Sequence, residues 1–417
     1  MIYIFSEHIT PRLIYVLDFC FTEKGQTYQL ISTKEEWNKL SVKSLNYSSQ
    51  EIESLFQIKP QGILFESEIY QSKSIALNDG DIEIDGVNDG LGFMFYMLSR
   101  YKSYFSQNLD SHGRLNAEQN TLVQLGLNKV AVLDRLVKTL WEKLNLDYTK
   151  VQEGFKFIPT FDIDIAWAYK NRKFMRSVGA IFKGKKPIER LKVFAGMAKD
   201  PYDTYAEIRD IASKTEHIIC FTLLGDWGKY DKNIHWENYS YGSLIRGLNL
   251  EGGLGIHPSY ASYLNADKVA LEIKRLEKIT GHEIHKSRQH FLRLKIPESY
   301  DTLLSSGIKS DYTMGFADDF GFRAGTSFPF HYFDLIQNKS TELMIHPFAY
   351  MDSAMKDYLH LNPEQAKAVI DELISEVKAV GGQFITIWHN SSIHDSGEWK
   401  GWKTVLDFTV QKGLEKE

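Results

Sequence analysis

The chain has 417 residues, of which 43% are hydrophobic and 25% charged, with a formal net charge of −5. That balance fits a folded protein of about two or three domains and excludes a disordered chain or a strongly basic partner for nucleic acid. Aromatic residues reach 13%, which suits a large core and also suits stacking on carbohydrate.

The opening stretch "MIYIFSEHITPRLIYVLDF" has no basic leader, and no apolar run is long enough to span a membrane. A cytoplasmic protein without a membrane span is therefore expected. The two cysteines, Cys20 and Cys220, build no disulfide framework and read as free thiols. Residues 1–105 alternate short β-like runs ("IYIF", "RLIYVLDFCF", "TYQLI", "GILF", "IEIDG") with polar turns. "GLGFMFYMLSRYKSYF" and "VAVLDRLVKTLWEKLNLDY" then show the three-to-four-residue apolar period of helices, with the polar loop "NLDSHGRLNAEQN" between them. A boundary near residue 150 separates an N-terminal α/β domain, 1–150, from a second domain, 151–417.

From residue 155 the rhythm becomes strand, then helix, repeatedly. The strand candidates are "FKFIPTFDID", "HIICFTLLG", "GLGIHPSY", "HKSRQHFLRL", "SDYTMGF", "LMIHPFAY" and "GQFITIWHN". Helical patterns such as "NADKVALEIKRLEKITG" and "PEQAKAVIDELISEVKAVGG" fall between them. Such alternation predicts a parallel sheet and an irregular (β/α) barrel of about seven strands, whose reactive groups gather at the C-terminal strand ends. Those ends carry Asp162 and Asp164, Asp226, His257, Arg288 and His290, His346, and His389.

Carboxylates and imidazoles on separate strand ends suit a divalent transition metal. With an open position for water, such a site hydrolyses an amide or ester. In an extended strand Asp162 and Asp164 share a side while Ile163 points away. No phosphate loop, nucleophile elbow, dinucleotide glycine motif or H-E-x-x-H occurs. His346 precedes a proline, as His257 does, and reads first as structural and second as a reserve ligand.

The order of these pieces resembles the polysaccharide deacetylase family, the NodB-homology carbohydrate esterases, over roughly residues 155–410. "PTFDID" is similar to that family's T-F-D-D, and "GLGIHPSY" to its histidine segment. "SRQHFLR" is similar to its arginine motif, and "FITIWHN" to its closing L-x-H-D. Variants such as "GFRAGTSFPF" and "IHPFAYMD" resemble a Bacteroidetes-type branch that carries an extra N-terminal domain. The resemblance implies a barrel of the deacetylase type that removes N-acetyl groups from an acetylated sugar or polysaccharide. Asp162 would be the catalytic base, Arg288 its orienting partner and His389 the general acid. The metal, zinc with cobalt or nickel as alternatives, would be held by Asp164, His257 and His290. Two departures stand out: Ile163 replaces the family's metal aspartate, and Ala261 its second histidine. Asp164 and His290 are the substitutes in this chain. Arg323, Trp227 and Tyr260 are expected to contact an N-acetylated glycan or its precursor. Two alternatives remain open: a metal-independent amidase of another small amide, and a catalytically silent glycan-binding protein.

Overall fold

The structure is a computed structural model that describes residues 1–106, 108–171, 187–248 and 253–415. Its N-terminal part holds a parallel sheet of β1 (Ile2–Phe5), β2 (Tyr28–Ile31), β3 (Leu45–Tyr47) and β4 (Phe56–Ile58), in the order β2-β1-β3-β4. A hairpin of β5 (Ile75–Asn78) and β6 (Asp81–Ile84) follows, turning through Asp79 and Gly80, both with positive φ. That Asp-Gly pair is what a tight hairpin turn of right-twisted strands requires.

Two β-like readings are corrected here. "RLIYVLDFCF" forms a helix, Pro11–Cys20, because Thr10 caps it by accepting from the Leu13 N–H and Pro11 occupies its first position. Its buried Leu13, Val16, Leu17 and Cys20 recur at helical spacing, and that period outweighs the β-branched and aromatic content. "GILF" is a short 3₁₀ turn, Ile63–Phe65.

The second sheet has nine strands: β7 (Lys156–Ile163), β8 (Ile219–Thr222), β9 (Leu254–Ile256), β10 (Lys286–Ser287), β11 (Ser310–Asp311), β12 (Phe330–Asp334), β13 (Lys339–Ile345), β14 (Tyr350–Met351) and β15 (Gln383–His389). Their order is β12-β13-β11-β10-β9-β8-β7-β15-β14. All neighbours are parallel except β12 and β13. The fold is thus mixed α/β with parallel sheets, but the expected barrel of about seven strands differs in two ways. "LMIHPFAY" splits between β13 and β14, and "SFPF" opens into an antiparallel edge strand. Among the described residues no ladder joins the two edges, so the sheet curls without closing. Residues between β13 and β14 cross the gap instead: Phe348 N–H donates to the Met314 carbonyl and Ala349 N–H to that of Ile385. The inner face of the curl encloses its own apolar cluster of Ile158, Phe221, Tyr312, Phe348, Ile385 and Ile387.

A larger apolar cluster runs from the N-terminal sheet into the helices outside the second sheet, so the two parts share packing. Polar ties reinforce that junction. Asp134 accepts from Thr326 Oγ1 at 2.5 Å and from Ser327 N at 2.7 Å, and Tyr15 Oη donates to the His331 carbonyl at 2.7 Å. Gly321, at φ 101°, passes so close to Asn128 that a Cβ would lie 2.1 Å from its carbonyl oxygen. Both cysteines are buried and free, and no described helix is long and apolar enough to cross a membrane.

Candidate metal centre

The site begins with the parity of β7. Phe161 and Ile163 pack into the outer core, while Ile158 lies in the inner cluster with Thr160, Asp162 and then Asp164 following on that side. Asp162 lies in register with His389 on β15 and with Phe221 on β8. His257 stands one residue beyond β9, and its N–H continues the ladder to the Thr222 carbonyl. Arg288 and His290 leave the end of β10, their N–H groups bonded to the Ile256 and Pro258 carbonyls. β7, β9, β10 and β15 therefore deliver their reactive side chains to the same end of the sheet.

Asp164, His257 and His290 each offer one donor atom, and the three atoms lie within 4.8 Å of one another. His257 Nδ1 is 2.6 Å from the Arg288 carbonyl oxygen, which can only accept. The proton therefore sits on Nδ1, and Nε2 presents its lone pair. That lone pair faces Asp164 Oδ1 at 3.1 Å, and this buried oxygen has no hydrogen-bond donor. His290 repeats the pattern. Its Nδ1 donates to Asp231 Oδ1 at 3.0 Å, and its Nε2 lies 3.5 Å from Asp164 Oδ2. A lone pair and a donor-free carboxylate oxygen facing each other, beside a second imidazole whose Nδ1 is held by a carboxylate, are what a cation would satisfy, so these residues fit a divalent metal.

Electrostatics follow the same geometry. Burial pushes the Asp164 carboxyl up, but His290, His257 and His389 outweigh it and hold it well below the usual range. Burial pulls His290 down, yet Asp164 and Asp231 raise it to about 9. Without a cation the ring therefore holds a second proton on Nε2 facing Asp164, the proton that a bound metal would displace. Burial likewise opposes His389, which Asp352, Asp164 and Asp162 lift to about 10.

Two pairs flank the centre. Arg288, wholly buried, donates from Nη1 to Asp162 Oδ1 at 2.8 Å and to Thr160 Oγ1 at 2.7 Å, and from Nε to the Tyr312 carbonyl at 3.0 Å. Its guanidinium also lies 4.4 Å from the centre of the Phe221 ring. Across the site, His389 Nδ1 meets Asp352 Oδ1 at 2.7 Å, which leaves Nε2 turned toward Asp164 Oδ2 at 3.7 Å.

The remaining sequence candidates are dispersed. His346 lies outside the cluster, stacked on Tyr312 with ring centroids 4.4 Å apart and bonded to Gln383 at the opening of β15. Asp226 pairs with Arg275 at 2.9 Å on the surface, and Trp227 is 45% exposed. Tyr260 belongs to an aromatic group with Tyr230, Phe291 and His112, and Phe291 packs against the His290 ring at 4.7 Å. His112 comes from the polar loop "DSHGR", so the N-terminal part reaches the rim of the centre. Arg323 is buried against residues 96–121 instead, on a cavity that no member of the Asp164 group lines.

Sequence reasoning missed Asp231 and Asp352. Asp231 lies in "GDWGKYDKN", five residues beyond the strand-end candidate Asp226, and Asp352 closes "IHPFAYMD". Ala261, where the deacetylase pattern has a histidine, donates its backbone N–H to Asp231 Oδ2 at 3.2 Å, so that position fixes the partner of His290.

The family described as a family of unknown function (DUF7033) matches residues 2–149. Among curated proteins none matches the sequence. Among solved structures, one described as a "putative polysaccharide deacetylase from Mycobacterium smegmatis" is similar at 14% identity and a TM-score of 0.40. That match covers 62% of this chain and 85% of the other. A likeness at that level fixes neither fold nor activity, and the chemistry below rests on the side chains.

Proposed function

We propose that the chain is a metal-dependent hydrolase of the polysaccharide deacetylase type, removing N-acetyl groups from an acetylated sugar or polysaccharide. Residues 151–417 would form the catalytic domain and residues 1–150 the accessory domain of the Bacteroidetes-type branch. The single observation that carries this reading is the convergence of Asp164, His257 and His290 within 4.8 Å, with a buried carboxylate oxygen that lacks a donor. A divalent cation there, zinc with cobalt or nickel as alternatives, would activate water and polarise the acyl carbonyl.

The chain's own residues divide the remaining work. Asp162, oriented by Arg288, takes the proton from the attacking water. Water oxygen bonds to the acyl carbon, the carbon–nitrogen bond breaks, and acetate leaves. His389, kept protonated by Asp352, gives its proton to the departing amine. Tyr260 and its aromatic neighbours would stack on a sugar ring, with Trp227 further out.

The test is metal content of the purified protein beside His257→Ala, His290→Ala and His346→Ala, followed by acetate release from N-acetylated sugars. About one equivalent in wild type and His346→Ala, and none in the other two, is expected. If wild type takes up no zinc, cobalt or nickel, the metal-dependent hydrolase reading falls. The metal-independent amidase or silent glycan binder then takes its place.

A further inference from the structure

We infer that the cavity between residues 96–121 and 316–323 binds a small oxyanion, a carboxylate or phosphate group, through Arg100 and Arg323. This site lies apart from the metal centre and stands or falls independently of it. Arg100, Lys102 and Arg323 line the cavity with Asn116, Gln119 and Ser103, and no carboxylate is among the lining residues. Both arginines are at least nine-tenths buried, at 9% and 6% exposure.

Their partners are incomplete. Arg100 Nη1 donates to the Arg323 carbonyl at 2.7 Å, but its Nε is buried with no partner. Arg323 Nη1 donates to the Gly315 carbonyl at 3.0 Å. Among the described residues neither makes an ion pair. The nearby Asp318 is engaged by the Ala117 N–H at 3.1 Å. The other arginines buried to this degree are all matched with acids: Arg12 with Glu66 at 3.5 Å, Arg114 with Asp110 at 2.7 Å and Arg288 with Asp162 at 2.8 Å. Two unmatched guanidiniums in one place are costly, because each loses its hydration and repels the other.

That cost is visible in one further feature. Burial and the charge of Arg323 push Arg100 down to about 9. An oxyanion would relieve that repulsion, since guanidinium N–H groups and a carboxylate or phosphate form charge-assisted bonds. The enclosed space is only about 20 Å³, room for about one water, so a sugar or nucleotide is excluded. An oxyanion would reach the guanidiniums with one oxygen while the rest of the group stays at the mouth.

The experiment uses the full chain in phosphate-free buffer at fixed ionic strength. Thermal midpoints and calorimetric titrations are recorded with inorganic phosphate, acetate and glycerol phosphate, and with chloride as the control. Expected is a saturable rise in midpoint with phosphate or acetate and none with chloride. Affinity should fall about tenfold or more in Arg100→Gln and Arg323→Gln. Because those variants remove buried groups, Lys102→Gln at the rim gives the second reading, a weaker affinity at an unchanged ligand-free midpoint. Binding of glycerol phosphate marks the site as open to a phosphate ester, and its exclusion beside phosphate binding marks the free ion as occupant. No saturable response to any of the three anions, or an equal response to chloride, overturns the inference. Unchanged affinity in all three variants overturns it as well.

Discussion

Asp231 holds His290 from behind: its Oδ1 lies 3.0 Å from Nδ1 while its two oxygens also accept the N–H groups of Tyr260, at 2.8 Å, and Ala261, at 3.2 Å. The carboxylate is thus fixed by backbone before it fixes the imidazole. Burial raises its pKa, and the bonds from His290 and from Tyr260 more than reverse that. Asp231→Asn should keep the fold and weaken metal affinity about 10–100-fold, because the tautomer that frees Nε2 is no longer enforced. Asp226→Asn, on the exposed side of the same loop, should leave affinity unchanged. Competition titration with a chromogenic zinc chelator reads both.

Asp352 stands to His389 as Asp231 does to His290, but across the site and with a different expected signature. It is fully buried and accepts from the His389 N–H at 2.8 Å as well as from Nδ1 at 2.7 Å. Asp352→Asn should leave metal content at the wild-type level and lower kcat for acetate release by roughly 10²–10⁴-fold, the usual contribution of a general acid. A loss of metal equal to that of His257→Ala would instead place His389 among the ligands.

Part of this arrangement is legible along the chain. The two-residue period of a strand puts Asp162 and Asp164 on one side from "TFDID" alone, and strand–helix alternation after residue 155 announces a parallel sheet. The supporting carboxylates are not legible in this way. Asp231 and His290 are 59 residues apart, and Asp352 and His389 are 37 apart, joined only once neighbouring strands are in register. A one-residue shift of a strand would turn its side chains to the other face, so period alone cannot match such partners. The Pro11–Cys20 helix escaped for a local reason: its β-branched and aromatic residues read as strand, while the Thr10 cap and Pro11 decide the backbone. Likewise β10 and β11 are only two residues long, so their hydrophobic pattern carries almost no signal.

Arg288 is the buried cation on which the inner face of the sheet depends. Removing it leaves Asp162, itself 2% exposed, without its ion-pair partner and the Tyr312 carbonyl without its guanidinium donor. Arg288→Leu should therefore cost about 3–5 kcal/mol of stability. Adding Asp162→Asn to that variant should restore part of the loss, since the stranded charge goes with it. Urea unfolding of the two single variants and the double variant separates charge from packing. An additive double variant would show that the loss is packing alone.

His346 gives the pH dependence a definite sign. Burial against Tyr312, with Lys286 nearby, lowers its pKa from 6.5 to about 4, opposed by its bond to Gln383. The folded chain therefore binds this proton more weakly than the unfolded chain does. Its contribution is complete above pH 6.5 and is lost as the pH falls toward 4, by at most about 3 kcal/mol. His346→Phe keeps a ring on Tyr312 but cannot titrate. Urea midpoints at pH 7 and pH 4.5 should fall less between the two conditions in the variant than in wild type. Carboxylates that titrate over the same range cancel in that comparison. An identical fall in both proteins would mean that protonated His346 is accommodated, and the stacked, neutral imidazole would not be a source of acid sensitivity.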